Sequence, residues 1–203
     1  IKKMGVTNFT SLADVPEHVD YAVCAVPRKV APFIVADCIK HNVGAVTLFT
    51  AGFAETGTQD GREAQDQIFK LATDGGLTLI GPNCMGLHNP SKGVCFFPGQ
   101  PTYDGGTVGF SSQSGSHGNS FSVAAPDNGL LISKMVSFGN GILLENADYL
   151  EYLANDPATR AAVARRQVVD PARARAITEV AAQARASAEQ ANSTLSLSLS
   201  LSL

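Results

Sequence analysis

The segment Gly106–Phe121, GTVGFSSQSGSHGNSF, is the stretch around which this chain is organised. It opens on the short apolar run Val108–Phe110, which is typical of a buried strand. The run breaks into a Ser/Gly-rich turn at Ser111–Gly118, and a helix-compatible segment follows from about His117 to Ala125. A strand that passes through a turn into a helix is the building unit of α/β proteins.

The turn in this segment has the composition of an anion site. Small residues let the backbone approach a ligand, while the unpaired N–H groups at a helix start and the helix dipole favour negative charge. Hydroxyl groups of Ser112, Ser114 and Ser116 add donors. The segment therefore predicts a phosphate site, although an ordinary strand-to-helix loop with serine caps fits the same residues.

Composition and charge limit the class of protein. With 44% hydrophobic and 16% charged residues, the 203-residue chain is globular and can bury a core. A net charge of −3 gives no support for nucleic acid as a partner, and no apolar run approaches the ~18 residues that span a membrane. The four cysteines lack paired metal-ligand spacing, so we expect no metal site, reduced thiols and a cytoplasmic location.

Short apolar runs alternate with amphipathic segments in the first half of the chain. Strands are expected at 21–26, 45–49 and 77–80, and helices at 29–41 and 58–74. This order predicts an α/β fold with right-handed crossovers and a parallel sheet. In such sheets the ligand lies beyond the carboxyl ends of the strands, which here are Val26-Pro27, Thr50–Phe53 and Gly81–Gly86.

A Pro/Gly-rich stretch at Gly93–Gly105 reads as a link to a second series of elements. That series contains an expected strand at 130–138 and an expected helix at 146–155. After Pro157 the composition becomes Ala/Arg-rich and is compatible with helices on either side of Pro171, and the end alternates Leu and Ser. We expect domains at 1–100 and 105–160, followed by a divergent segment and low-complexity tail at 161–203, to which we assign no function.

Seven short motifs in one order resemble the NDP-forming acyl-CoA synthetases, the family that includes the alpha subunit of succinyl-CoA synthetase. The motifs cover roughly residues 10–160, and the pair Gly-Pro-Asn-Cys-x-Gly and Ser-Gln-Ser-Gly is the most specific. They are DVPEHVD at 14–20, AVP at 25–27, AGFAE at 51–55, IGPNCMGLHNP at 80–90, SQSG at 112–115, SKMVSFGN at 133–140 and DYLEYLANDPAT at 148–159.

The resemblance implies a Rossmann-like CoA-binding domain that lacks its first strand, followed by part of a flavodoxin-like α/β domain. It also implies the reaction acid + CoA + NTP ⇌ acyl-CoA + NDP + phosphate, through an acyl phosphate and a phosphohistidine. Along the CoA it would place Val26, Pro27, Thr50, Gly52, Asn83 and Cys84. At the phosphate it would place Ser112, Ser114 and Gly115, beside which Ser116 offers a further hydroxyl.

Parts of the family pattern are not found in this sequence. The nucleotide-gripping loop, the later phosphohistidine motif and the ATP-grasp domain are missing, so we assign no catalytic residue and expect this chain alone to be inactive. The complete enzyme is expected to use CoA, a carboxylic acid and ATP/ADP or GTP/GDP with Mg, with an ATP-grasp domain or subunit as partner. A non-catalytic CoA-binding module is the alternative, and a nicotinamide-binding oxidoreductase fragment is suggested by the parallel sheet alone.

Individual polar residues admit more than one interpretation. No acid or histidine flanks Cys84, so a buried thiol beside a ligand loop is preferred over a nucleophile. His117 is expected to be a polar residue at a helix start, and His88 a loop residue. Glu55 could orient a ligand or be an exposed loop carboxylate, and these two interpretations remain open.

Overall fold

The computed structural model describes Gly5 and residues 7–165. The rest of the Ala/Arg-rich segment and the Leu/Ser tail lie outside the described residues. Strands and helices alternate along most of the chain. They are β1 (Tyr21–Cys24), α1 (Ala31–Lys40), β2 (Ala45–Leu48), α2 (Gln59–Asp74), β3 (Thr78–Ile80), β4 (Gly86–His88), β5 (Val108–Ser112), α3 (Gly115–Asp127), β6 (Ile132–Ser137), α4 (Asn146–Asn155) and β7 (Ala161–Arg165).

The chain forms two compact units, and each is described by itself. Among the described residues, the first unit runs to Gly86 and takes in Asn140–Leu143, while the second holds Leu87–Gly139 and the residues from Leu144 to Arg165. The Pro/Gly-rich link therefore lies inside the second unit. The domain bounds expected from the sequence remain a proposal, because they rest on composition and motifs and not on contacts.

The first unit is a three-stranded parallel sheet with the order β1-β2-β3. Residues of the central strand pair on both sides, so that Val46 lies opposite Ala22 and Leu79. Val46 and Leu79 are fully buried, together with Val35 of α1 and Ile68 of α2. The helices present their apolar stripes to this core, as their 3.6-residue periodicity requires.

The second unit contains a four-stranded sheet with the order β4-β6-β5-β7, in which β5 pairs in parallel with β6 and with β7. Side chains alternate between the two faces of β5. Phe110 belongs to a buried cluster with Met135 and with Ala125 of α3. A Cβ atom built on neighbouring Gly109 would lie 2.8 Å from Leu153 of α4, so α4 approaches β5 closely there.

The α/β fold class is confirmed, with a parallel three-stranded domain followed by a flavodoxin-like sheet. The structure adds one strand where the sequence is compatible with helix. Ala161–Ala164 pair in register with Val108–Ser111, which makes β7 the neighbour of β5. Alanine has low β propensity, and the strand forms because it completes the hydrogen bonds of a sheet edge.

Candidate functional site

Three loops follow β1, β2 and β3 at the carboxyl edge of the first sheet, and Thr50 joins them. Its hydroxyl donates to the Val26 carbonyl at 2.7 Å, and its own carbonyl accepts from the Asn83 N–H at 3.0 Å. The Thr50 side chain is buried. Since one residue bonds the loops before and after it, the edge of the sheet has a defined shape before any ligand binds.

The turn after β2 is held by a carboxylate of its own sequence. Glu55 Oε1 accepts from the N–H groups of Gly52 at 2.6 Å and Phe53 at 3.1 Å. Gly52 has φ +103°, a region that favours glycine, so the turn has a sequence requirement at that position. The carboxylate already fills the place where these two N–H groups would otherwise bind an anion. Of the two interpretations of Glu55, the structure therefore favours the exposed loop carboxylate, whose partners are N–H groups of its own turn.

Asn140 holds the other oxygen of this carboxylate. Its Nδ2 donates to Glu55 Oε2 at 2.6 Å and to Gln65 Oε1 at 2.9 Å, while its backbone N–H donates to the Pro82 carbonyl at 2.9 Å. Burial acts to raise the pKa of Glu55, but the hydrogen bonds from Asn140 and from the turn outweigh it and hold that pKa below its ordinary value. Asn140 was not predicted as a site residue, although it ends the motif SKMVSFGN and lies between two glycines, which was a usable signal.

Arg28 is a second residue that the sequence did not single out. Its guanidinium donates to the Gly52 carbonyl at 2.6 Å and forms an ion pair with Asp60 in the first turn of α2. The arginine comes directly after the exposed Pro27, so its position beside an expected ligand loop was readable from the chain. Its partners, 24 and 32 residues away, were not.

The expected CoA-lining residues divide into three groups by exposure. Pro27 and Asn83 are exposed, and Val26 and Gly52 are half-buried. Thr50 and Cys84 are buried. Burial raises the pKa of the Cys84 thiol to about 12, so it is a neutral thiol in the core, as the preferred interpretation of the sequence had it.

The expected phosphate site forms the start of α3. This helix begins at Gly115, earlier than the sequence indicated, and its N-cap is Ser114, whose Oγ accepts from the His117 N–H at 3.4 Å. The Ser112 hydroxyl is buried and donates to the Ser114 carbonyl at 2.9 Å. The first turn contains no acidic residue. Its unpaired backbone N–H groups, helix dipole and the exposed Ser116 hydroxyl suit an anion.

The start of α4 provides a contrast within the same unit. There the Glu145 side chain accepts from the N–H group of Asp148, and the Asp148 carboxylate accepts from the Glu145 N–H at 2.6 Å. Two carboxylates therefore occupy the positive end of that helix. An anion would be repelled at α4, whereas nothing with negative charge occupies the first turn of α3.

The described residues contain neither a cluster of metal-ligating side chains nor a helix suited to a membrane. No group of three or more His, Cys, Asp or Glu side chains in that part of the chain could hold a metal ion. Among the helices of the described ranges, none combines the length and apolar character that crossing a bilayer requires.

Comparisons with known proteins agree with this architecture. The family described as "CoA binding domain" matches residues 2–90, and the family described as "Succinyl-CoA ligase like flavodoxin domain" matches residues 105–190. The second match runs past Thr159, where the sequence motifs end. The two matches together identify a CoA-binding domain of α/β fold followed by a flavodoxin-like domain.

Two curated relatives narrow the assignment from a pair of domain types to one enzyme family. The chain is 33% identical over 156 residues to ADP-forming acetate–CoA ligase I of Archaeoglobus fulgidus, which covers 77% of this chain and 23% of the relative. It is 32% identical over 161 residues to the alpha subunit of ADP-forming acetate–CoA ligase II of Pyrococcus furiosus, which covers 77% and 34%. The chain belongs to the NDP-forming acyl-CoA synthetase family.

A solved structure supports the same assignment. The dinucleotide forming acetyl-coenzyme A synthetase 1 of Candidatus Korarchaeum cryptofilum, in complex with phosphate and ADP, matches with a TM-score of 0.78 and 30% identity. The match covers 89% of this chain and 38% of that one. The chain thus corresponds to the CoA-binding portion of members of the ADP-forming acyl-CoA ligase family, and it spans between 23% and 34% of the two curated relatives above.

Proposed function

We propose that this chain is the CoA-binding and phosphate-binding portion of an NDP-forming acyl-CoA synthetase. The enzyme it belongs to would convert acid, CoA and NTP into acyl-CoA, NDP and phosphate, through an acyl phosphate and a phosphohistidine. ATP/ADP or GTP/GDP with Mg, a carboxylic acid and an ATP-grasp domain or subunit would be its partners, in the cytoplasm. The chain alone would bind ligands without completing the reaction.

The start of α3 is the observation that carries this proposal. A helix whose N-cap is a serine, whose first turn has no acidic residue and whose dipole points at the end of β5 attracts a phosphate group. At this place Ser114 and Gly115 would contact the phosphate, with Ser116 as an additional hydroxyl donor. The buried Ser112 hydroxyl would act indirectly, because it already donates to Ser114.

CoA would lie along the carboxyl edge of the first sheet. Pro27 and Asn83 have exposed atoms there, and Val26 and Gly52 have partly exposed atoms. Thr50 and Cys84 would support these loops through their buried side chains. CoA supplies the thiol that accepts the acyl group, and the chain's own residues hold and orient it.

Isothermal titration calorimetry of the chain with CoA, with NADH as a second ligand, tests the proposal. We expect CoA to bind and NADH not to bind. Asn83→Asp should weaken CoA binding several-fold, because it brings a negative charge to an exposed loop beside an anionic ligand. Asn42→Asp is the matched control: Asn42 has the same φ of 56° as Asn83 and follows α1, away from the loops.

The outcomes of these measurements distinguish the proposal from its two alternatives. Binding of CoA that Asn83→Asp weakens and Asn42→Asp leaves unchanged supports the proposal. CoA binding together with no binding of inorganic phosphate, which ³¹P line broadening detects, would favour the alternative, a non-catalytic CoA-binding module. Binding of NADH in place of CoA would instead indicate a nicotinamide-binding oxidoreductase and contradict the proposal.

A further inference from the structure

The guanidinium of Arg28 already has two polar partners within the first unit. One guanidinium N–H donates to the Gly52 carbonyl at 2.6 Å, and the other end pairs with the Asp60 carboxylate. The side chain is only 23% exposed. A guanidinium that already has a carboxylate and a carbonyl as partners is a weak ligand for a further anion, because a new contact must compete with both. Arg28 is therefore placed to hold protein groups together.

The group that Arg28 holds is the peptide of Gly52. The N–H of this glycine donates to Glu55 Oε1 at 2.6 Å, and its carbonyl accepts from Arg28. Side chains thus fix both polar groups of a residue whose φ is +103°. Glycine loses more backbone freedom on ordering than any other residue, so the turn needs such contacts to keep one conformation.

The shape of arginine is important for this role. A Cβ atom built on Gly52 would lie 3.5 Å from Arg28 Cδ, which places the arginine stem alongside the turn. The planar guanidinium reaches the Gly52 carbonyl and the Asp60 carboxylate at the same time. A lysine ammonium keeps the charge but is a single point donor, so it can replace only part of this geometry.

We propose that Arg28 is a positioning residue for CoA binding, which fixes the Gly52–Glu55 turn in its binding shape without contacting the 3′-phosphate of CoA. This inference rests on the proposed function, because the turn is one of the three loops along which CoA is expected to lie. It predicts that the charge of Arg28 acts through the protein. The loss of Arg28 should then lower the affinity of every ligand that contacts the turn by a common factor.

The test measures dissociation constants of CoA and of dephospho-CoA, which lacks the 3′-phosphate, by calorimetry. We expect Arg28→Met to raise both dissociation constants by the same factor, about tenfold. This is the size of effect expected for the loss of one charge-assisted hydrogen bond. Arg28→Lys should recover part of this loss. Arg62→Met is the matched control, since Arg62 donates to the exposed Gly57 carbonyl at 2.9 Å outside the turn, and it should change either constant less than twofold.

A second variant keeps the test informative if Arg28→Met does not fold, which circular dichroism would reveal. Asp60 is 78% exposed, so Asp60→Asn removes the anchor of the guanidinium at little cost to the core, and we expect about threefold weaker binding of both ligands. Unchanged CoA affinity in Arg28→Met, or in Asp60→Asn where the first variant is unfolded, would overturn the inference and leave the proposed function intact.

Two other results would also count against it. A loss confined to CoA, with dephospho-CoA unaffected, would make Arg28 a direct ligand of the 3′-phosphate. Absence of CoA binding by the unmodified chain would instead overturn the proposed function, and the inference with it. The two failures are therefore distinguishable by the behaviour of the unmodified chain.

Discussion

Glu55 Oε2 accepts a hydrogen bond of 2.6 Å from Asn140 Nδ2, although the two residues lie 85 positions apart in the sequence. Asn140→Asp replaces that donor by a carboxylate facing a carboxylate. We expect the variant to lose about 1–3 kcal/mol of unfolding free energy at pH 7, and less at acid pH, where protonation relieves the repulsion. Urea titration at both pH values measures the effect.

Asn155→Asp is the matched control for this prediction. Asn155 Nδ2 donates to the Glu151 carbonyl at 2.9 Å on the exposed surface of α4, so its replacement should cost less than about 1 kcal/mol. Equal losses for the two variants would show that the Glu55 contact contributes nothing specific.

The lowered pKa of Glu55 links stability to pH. Because the pKa of Glu55 in the folded chain lies below its ordinary value, the ionised carboxylate stabilises the fold at pH values above that ordinary value. This contribution is lost as pH falls through the folded pKa. Glu55→Gln should therefore be less stable than the parent at pH 7 and show a smaller loss between pH 5 and pH 3. Chemical denaturation across that window tests the sign. An unchanged pH profile in the variant would contradict the assignment.

Ser114→Asp separates the capping role of this residue from the proposed phosphate site. Aspartate caps a helix as well as serine does, so the thermal midpoint should be unchanged or higher. The added carboxylate should nevertheless abolish phosphate binding, which ³¹P line broadening of inorganic phosphate can detect. Thr58→Asp makes the same change at the N-cap of α2 and serves as control, with phosphate binding retained. Retained phosphate binding in Ser114→Asp would place the anion elsewhere.

Two helical glycines should respond oppositely to alanine. A Cβ atom on Gly61 would lie 2.3 Å from the Phe53 carbonyl oxygen, a backbone atom that cannot move freely, so we expect Gly61→Ala to destabilise by more than about 2 kcal/mol. The nearest neighbour for Gly118 is Met135 Cε at 3.5 Å, an ordinary contact, so Gly118→Ala should stabilise by about 0.5–1 kcal/mol. Thermal unfolding compares them directly, and effects of the same sign would refute the packing argument.

Thiol reactivity provides a test of burial. Cys95 is exposed, whereas Cys24, Cys38 and Cys84 are buried. Burial raises the pKa of Cys38 to about 11 and of Cys84 to about 12, which leaves almost no thiolate at pH 8. Ellman's reagent should therefore label one thiol rapidly in the native chain and all four after denaturation. Cys95→Ser should remove the rapid phase, and rapid labelling of a second thiol would contradict the structure.

Much of the fold was predictable because local patterns and packing agree. The helix expected at 146–155 occurs at those residues, and the helix expected at 58–74 begins one residue later. His88 was wrongly expected in a loop: it lies in β4, 1% exposed, and burial lowers its pKa. A three-residue strand next to Asn and Pro has no periodicity to reveal it, so only pairing in a sheet defines it.

The sequence by itself determined the α/β class, the loops at the carboxyl ends of the strands and the Ser-Gln-Ser-Gly turn before α3, because each is encoded within a few adjacent residues. The tertiary structure decided which distant side chains fix those loops in place. Arg28 reaches Gly52, and Asn140 reaches Glu55, across 24 and 85 residues. Such contacts depend on which segments the folded sheet brings together, and no local spacing of residues specifies them.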